Sequence, residues 1–242
     1  MAWDILGAGA LAVLAAMPEE IAPLQQAMKL AEAEEAYGNR VVHIWQGRLS
    51  ERPVLLVQTG IGKANAAAAA AIVLERFAPR ALLNIGSAGG FARDLHFGDV
   101  VVGTECAYSD AEATCFGYAP GQVPQMPAAY PAAPELLAAA RELAGEVEFA
   151  GHLRFGPILT SDAFMSDPAL ADRLRKVFPR ALASDMEGTA IAQIAYTYGA
   201  AFMNLRSISD IAGDQAEKSF DENLELAAGR ASRFLQALLA RI

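Results

Sequence analysis

Three acids in this 242-residue chain, Glu20, Glu187 and Asp210, each follow a different apolar, strand-like run. Acids brought together from separate strand ends can divide proton donation and proton removal between them, because environment sets which carboxyl keeps its proton. Other chemistries have less to work with. The histidines, His43, His96 and His152, lie in unrelated segments, and the cysteines, Cys106 and Cys115, have no CxxC partner, which argues against a zinc site or a disulfide framework. Gly60-Ile61-Gly62 and the Gly86–Gly90 run complete neither GxGxxG nor GxxxxGK[ST], so no phosphate-cradling cofactor loop is expected. The expectation is carboxylate chemistry with neither metal nor cofactor.

Taken singly, each acid has a plain structural use. Glu20 follows Pro18 at a helix start, where acids favour the helix dipole, and Glu187 lies in a similar first turn. Asp210 could serve a turn. Convergence is what gives them meaning, and it depends on the elements that carry them.

Apolar runs at Leu11–Ala15, Val41–Trp45, Val54–Gln58, Ala81–Ile85, Asp99–Val102, Leu153–Ile158, Ala181–Ser184 and Ala201–Leu205 read as strands. Helical spacing appears in Pro18–Leu30, Ile61–Phe77, Pro134–Leu143, Pro168–Phe178, Met186–Tyr198 and Phe220–Ile242, the last opening on a Ser219/Glu222 capping box. Alternating strands and helices with near-continuous apolar strands predict an α/β fold: three layers, with a central twisted mixed sheet flanked by helices. Val41–Trp45 and Val54–Gln58, joined through Gln46-Gly47-Arg48, are expected to add an antiparallel hairpin. No linker or repeat divides residues 11–242, so they are read as one domain after an N-terminal extension, 1–10. In open α/β sheets ligands bind beyond the carboxyl ends of the strands. Acidic, glycine-rich and hydroxyl residues collect after those ends.

The composition excludes several partners. Net charge is −9 with no Lys/Arg cluster, so neither nucleic acid nor an anionic membrane is expected to bind. The apolar stretch Ile5–Met17 lacks a basic leader and is too short to span a bilayer. Free cysteines and no export signal suggest the cytoplasm. Residues 108–133 resist periodic assignment and carry four prolines among Phe116, Tyr118, Val123, Met126 and Tyr130; apolar side chains on such a loop call for cover, and a second subunit is expected to supply it.

Eight ordered segments resemble the 5′-methylthioadenosine/S-adenosylhomocysteine nucleosidases of the nucleoside phosphorylase superfamily. They are Ala16-Met17-Pro18-Glu19-Glu20-Ile21, Thr59-Gly60-Ile61-Gly62-Lys63, Asn84-Ile85-Gly86-Ser87-Ala88-Gly89-Gly90, Phe116-Gly117-Tyr118-Ala119-Pro120-Gly121-Gln122, Ser161-Asp162-Ala163-Phe164, Asp185-Met186-Glu187-Gly188, Arg206-Ser207-Ile208-Ser209-Asp210 and Ser219-Phe220-Asp221-Glu222. The resemblance runs from about Leu11 to Leu239. It implies that Glu20 activates water beside Ser87, and that Asp210, steadied by Ser209, protonates N7 of a departing adenine. It implies further that Glu187 binds the ribose hydroxyls with Met186 beside the sugar, and that Phe164 and the backbone at Met165 receive adenine. Met17, Ile61 and Phe220 match contacts around the ribose and thioether. Ala113, Phe116 and Pro124 match a loop lent across a homodimer to the partner's 5′-substituent pocket.

Within that superfamily a purine nucleoside phosphorylase is the chief alternative, followed by an aminofutalosine hydrolase; a non-enzymatic binding protein on the same fold would be expected to lack one of the three acids. Phosphate needs fixed cationic donors, usually arginine. Hexameric phosphorylases have arginine three residues before the serine of the Gly-Ser turn, where this chain has Asn84, and the loop after the first strand carries Glu19 and Glu20. Water is the expected nucleophile.

Overall fold

A computed structural model of the protein describes residues 9–28, 34–213 and 215–242. The N-terminal extension, apart from its last two residues, and the end of the expected first helix lie outside the described residues. The chain runs β1 (Leu11–Ala15), α1 (Pro18–Ala27), β2 (Glu34–Gly38), β3 (His43–Leu49), β4 (Arg52–Gln58), α2 (Lys63–Phe77), β5 (Ala81–Gly90) and β6 (Val100–Tyr108). It continues through β7 (Tyr130–Pro131), α3 (Pro134–Leu143), β8 (Leu153–Thr160), α4 (Pro168–Val177), β9 (Ala183–Asp185), α5 (Gly188–Tyr198), β10 (Ala201–Ile211) and α6 (Ala216–Leu239).

The sheet is mixed, as expected. β1 lies parallel between β4 and β5, and β5 is parallel to β10. β10 pairs antiparallel with β6, β6 parallel with β8, β8 parallel with β9, and β9 returns antiparallel to β5. Five strands thus close a ring, while β1, β4, β3 and β2 extend from it as an open wing. Helices cover both faces. Leu11, Val13 and Ala15 of β1 pack with Ile21 and Leu24 of α1, Leu136 of α3 and Phe234 of α6; the alternate residues Ala12 and Leu14 pack with Ala66, Ala70 and Val73 of α2 and Ile191 of α5. Alternate burial of one strand into two cores is what a three-layer stack requires. No helix among the described residues is long and apolar enough to cross a membrane.

Several boundaries differ from the sequence reading. The hairpin of β3 and β4 turns at Ser50-Glu51, where φ is 49° and 61°, and not at Gln46–Arg48. Positive φ at both central residues matches the twist of a two-residue hairpin, and that geometry extends β3 to Leu49. The last helix begins at Ala216, one turn before Phe220. Its N-cap is Gln215, without a side-chain cap, so Ser219 is interior and no capping box forms. Ala216 is buried, and that packing sets the helix start. β2 was not anticipated from its charged sequence. Residues 108–133 are largely irregular; one 3-10 turn at Thr114–Phe116 and the pairing of β7 with β6 are the exceptions.

The largest difference lies in β5 and β10, which continue past Ile85 and Leu205 to Gly90 and Ile211. Ser87, Ser209 and Asp210 are therefore strand residues, not loop residues beyond the strands.

Candidate active site

The neighbour of β5 changes along its length. β1 pairs with it as far as Asn84 and β9 joins at Gly89, so the edge of β5 between them is open. Glu20, on the first turn of α1, fills this fork. Its Oε1 accepts from Ser87 N at 2.8 Å and Ser87 Oγ at 3.0 Å; Oε2 accepts from Ala16 N at 3.0 Å and Met17 N at 3.2 Å. The backbone amides left unpaired where the strands part are thus satisfied by one buried carboxylate. Gly86 permits the approach, because a Cβ there would overlap both Glu20 Oε1 and Arg206 Nη1.

Asp210 reaches the same place from β10. The pairing of β10 with β5 slips between Ile208 and Asp210, and such a bulge re-aims side chains that would otherwise alternate between faces. Ser209 Oγ consequently donates to Asp210 Oδ1 at 2.9 Å. Burial pushes the Asp210 carboxyl up to about 6, with the Ser209 hydrogen bond opposing. Gly89 leaves room for it, since a Cβ there would come within 2.9 Å of Asp210 Oδ2.

Glu187 stands at the N-cap of α5. Its Oε1 accepts from Gly62 N at 2.9 Å and its Oε2 from Arg206 Nη2 at 3.4 Å. Burial, then the nearby charges of Asp185 and Glu20, raise its carboxyl to about 7 against the lowering effects of Arg206 and the Gly62 amide. One cavity of about 410 Å³ is lined by Glu20, Glu187 and Asp210, with Ser87 and Ser209 on its floor. Met17, Ile61 and Met186 form its apolar side. Phe164 and Phe220 meet edge to face, 5.7 Å between centroids, and Met165 completes that wall.

Eleven of the residues singled out from sequence therefore share one cavity within a single chain. Ala113, Phe116 and Pro124 do not. Ala113 is buried within its own chain, whereas Phe116 is 81% exposed and Pro124 is exposed. Glu217 and Asp221, not anticipated, also line the cavity, on the first turns of α6.

Arg206 stands in one of the resembling segments, but the sequence assigns it no role. It is 1% exposed, with Nε 2.9 Å from Asp185 Oδ2 and 3.2 Å from Asn204 Oδ1. A signal existed: an arginine within an apolar strand needs a buried counter-charge. Among the described residues no group of three or more His, Cys, Asp and Glu side chains is arranged to hold a metal ion.

Chemically, the cavity offers a carboxyl that burial keeps protonated to higher pH and a second one held by donors that match a carboxylate. Between them lie apolar and aromatic walls suited to a flat base and a non-polar substituent.

Known proteins resemble the chain in sequence and fold. A family model described as the phosphorylase superfamily matches residues 10–240. The 5′-methylthioadenosine/S-adenosylhomocysteine nucleosidase of Oceanobacillus iheyensis is 41% identical over 232 residues, 96% of this chain and 99% of that protein. That of Anoxybacillus flavithermus is 42% identical over 229 residues, covering 95% and 97%. The crystal structure of the Neisseria meningitidis nucleosidase with methylthio-immucillin-A superposes with a TM-score of 0.91 at 36% identity, covering 96% of this chain and 99% of that one.

Proposed function

We propose, for a chain that belongs to the phosphorylase superfamily and within it to the 5′-methylthioadenosine/S-adenosylhomocysteine nucleosidases, that it hydrolyses the N-glycosidic bond of both named nucleosides. The products are adenine and the 5-thio-substituted ribose. The observation that carries this reading is the pair of unlike carboxyls, Glu20 and Asp210, on one cavity.

Adenine leaves poorly as an anion, so a proton must reach it as C1′–N9 breaks. Asp210 gives that proton to N7, and Ser209 orients it. The ribosyl ring becomes oxocarbenium-like, which Glu187 and Glu20 favour electrostatically. Water then bonds to C1′ on the opposite face, and its proton passes to Glu20. Three of the donors to Glu20 are backbone amides, but the fourth is the Ser87 hydroxyl, which can turn toward the water and free one lone pair. Glu187 retains acceptor capacity for the ribose hydroxyls. Phe164 stacks on adenine with the backbone at Met165 beside it, while Met17, Ile61, Met186 and Phe220 receive the sugar and thioether.

Water is favoured over phosphate by what surrounds Asn84. Its side-chain amide lies within 2.6 Å of Arg206 Nη2 and 3.1 Å of Asn204 Oδ1. The position is buried beside an arginine already engaged by acids, and it offers no forked donor to a phosphate. Incubated with either nucleoside in phosphate-free buffer, the protein should release adenine and free sugar at a rate unchanged by phosphate or a chelator. Formation of a sugar 1-phosphate, or a requirement for phosphate, would make it a phosphorylase.

The exposed Phe116 and Pro124 support a homodimer in which loop 108–133 completes the partner's 5′-substituent pocket. The protein is expected to elute as a dimer, and Phe116→Ala should reduce kcat/KM for methylthioadenosine more than for adenosine, which has no thioether. A fully active monomer would contradict this. Residues 11–242 act as one cytoplasmic unit; the two cysteines, Cys106 buried and Cys115 exposed, are both free, which suits a reducing compartment.

A further inference from the structure

We infer that Asp185 is a positioning residue for the ribose end of the cavity: with Asn204 it fixes Arg206, and Arg206 in turn holds Glu187. The inference rests on the nucleosidase reading above, because it supposes that Glu187 meets a ribose.

Asp185 lines the cavity, yet it has no acceptor capacity left for a ligand. A carboxylate offers about four lone-pair sites. Oδ1 accepts from Thr160 Oγ1 at 2.6 Å and Gly188 N at 3.1 Å; Oδ2 accepts from Asn204 Nδ2 at 2.8 Å and Arg206 Nε at 2.9 Å. None of these donors can turn away. Thr160 Oγ1 itself accepts from Thr189 N and Thr189 Oγ1, both at 2.8 Å, so its single proton has nowhere to go but Asp185. Glu20 differs on this point, since its Ser87 hydroxyl donor is free to turn. Glu187 differs too, with one hydrogen bond on each oxygen and room for two more.

What Asp185 does instead passes through the guanidinium. Arg206 reaches Asp185 and Asn204 with Nε, the Ser87 carbonyl at 3.3 Å with Nη1, and Glu187 with Nη2, which also lies beside the Asn84 amide. One fully buried planar group therefore touches both the backbone that presents Ser87 to Glu20 and the acid facing the sugar. The Nε bonds to Asp185 and Asn204 set the plane of that group, and with it the position of Nη2. Without the charge of Asp185, Glu187 becomes the nearest carboxylate to Arg206 and is drawn out of place.

The test compares the wild type with Asp185→Asn, Asp185→Glu and Asn204→Ala on 5′-methylthioadenosine and on its 2′-deoxy and 3′-deoxy analogues. Asp185→Asn should raise KM roughly tenfold, the scale of one charge-assisted hydrogen bond, with a smaller change in kcat. The wild-type penalty for losing a ribose hydroxyl should shrink in this variant, since the group that reads the hydroxyl is already displaced. Asp185→Glu keeps the charge and should recover most of the loss; Asn204→Ala should shift KM and the penalties in the same direction by less. An Asp185→Asn protein with wild-type KM, or with raised KM and undiminished deoxy penalties, would overturn the inference. Should Asp185→Asn fail to fold, Asn204→Ala decides in its place, and wild-type KM and penalties there would overturn it equally. A wild type inert toward all three nucleosides would overturn the nucleosidase reading, and this inference with it.

Discussion

Asp210→Asn should lower kcat by about 10²- to 10⁴-fold, the usual span for losing a positioned general acid, while leaving the protein folded. Asparagine preserves shape and can still meet the Ser209 hydroxyl, but it has no proton to give. The loss should therefore depend on the leaving group. A 4-nitrophenyl 5-methylthioriboside, whose phenolate departs without protonation, should be cleaved by the variant at nearly the wild-type rate. The pH profile carries the same signature. With its carboxyl raised to about 6, Asp210 is the acid form below that pH and loses its proton above it, so wild-type kcat/KM should fall as pH rises through this region. The variant should lack that limb. Stability falls over the same range. The folded carboxyl holds its proton more tightly than the unfolded one, so its contribution is full below the ordinary value of 3.8 and is lost as pH rises through about 6. At pH 7 the variant should be more stable than the wild type, by at most about 3 kcal/mol, and should melt at a higher temperature. Near-native adenine release by Asp210→Asn would remove Asp210 from the mechanism.

Glu20→Gln should cost turnover on the same scale, roughly 10²- to 10⁴-fold, but with the opposite effect on stability. Every group around Glu20 is a donor, three of them backbone amides fixed in the fork between β1 and β9. Glutamine turns an NH2 toward one pair of them and leaves buried donors unpaired, each at about 1–3 kcal/mol. A lower melting temperature with much reduced turnover is the expected pair of results. Adenine is received on the Phe164 side, so its affinity measured by calorimetry should change little. A variant that kept both its melting temperature and its rate would show that the fork carboxylate is neither a base nor a structural acceptor.

Much of this arrangement is legible in the sequence, for a physical reason. Strands buried on both faces must be apolar almost throughout, so Leu11–Ala15, Val54–Gln58 and Ala81–Ile85 are visible as runs, and their order with the helices gives the layers. Glu20, Glu187 and Asp210 stand out because each follows a different run, so an α/β sheet brings them to one rim. The continuation of β5 through Gly86-Ser87-Ala88-Gly89-Gly90 is not visible. Those residues have little intrinsic preference for strands, and pairing with β10, joined by β9 at Gly89 and Gly90, keeps them extended. The same holds for Ser207–Asp210, where the bulge that turns Asp210 inward is a property of two strands together. Asn204 and Asp185 look unremarkable alone; their meaning comes from Arg206, and three side chains from two strands cannot be matched without coordinates. The loop around Phe116 is legible only as something needing cover.

The placement of Ser87, Ser209 and Asp210 within paired strands has a consequence for heat inactivation. Many enzymes carry their working groups on surface loops, which can come loose while the rest of the molecule persists. For these three groups no such partial opening is available. To displace Asp210 from Ser87 is to part β5 from β10 at the heart of the closed ring, and that separation is the loss of the fold itself. Loss of these three groups from the cavity and global melting should thus be a single event.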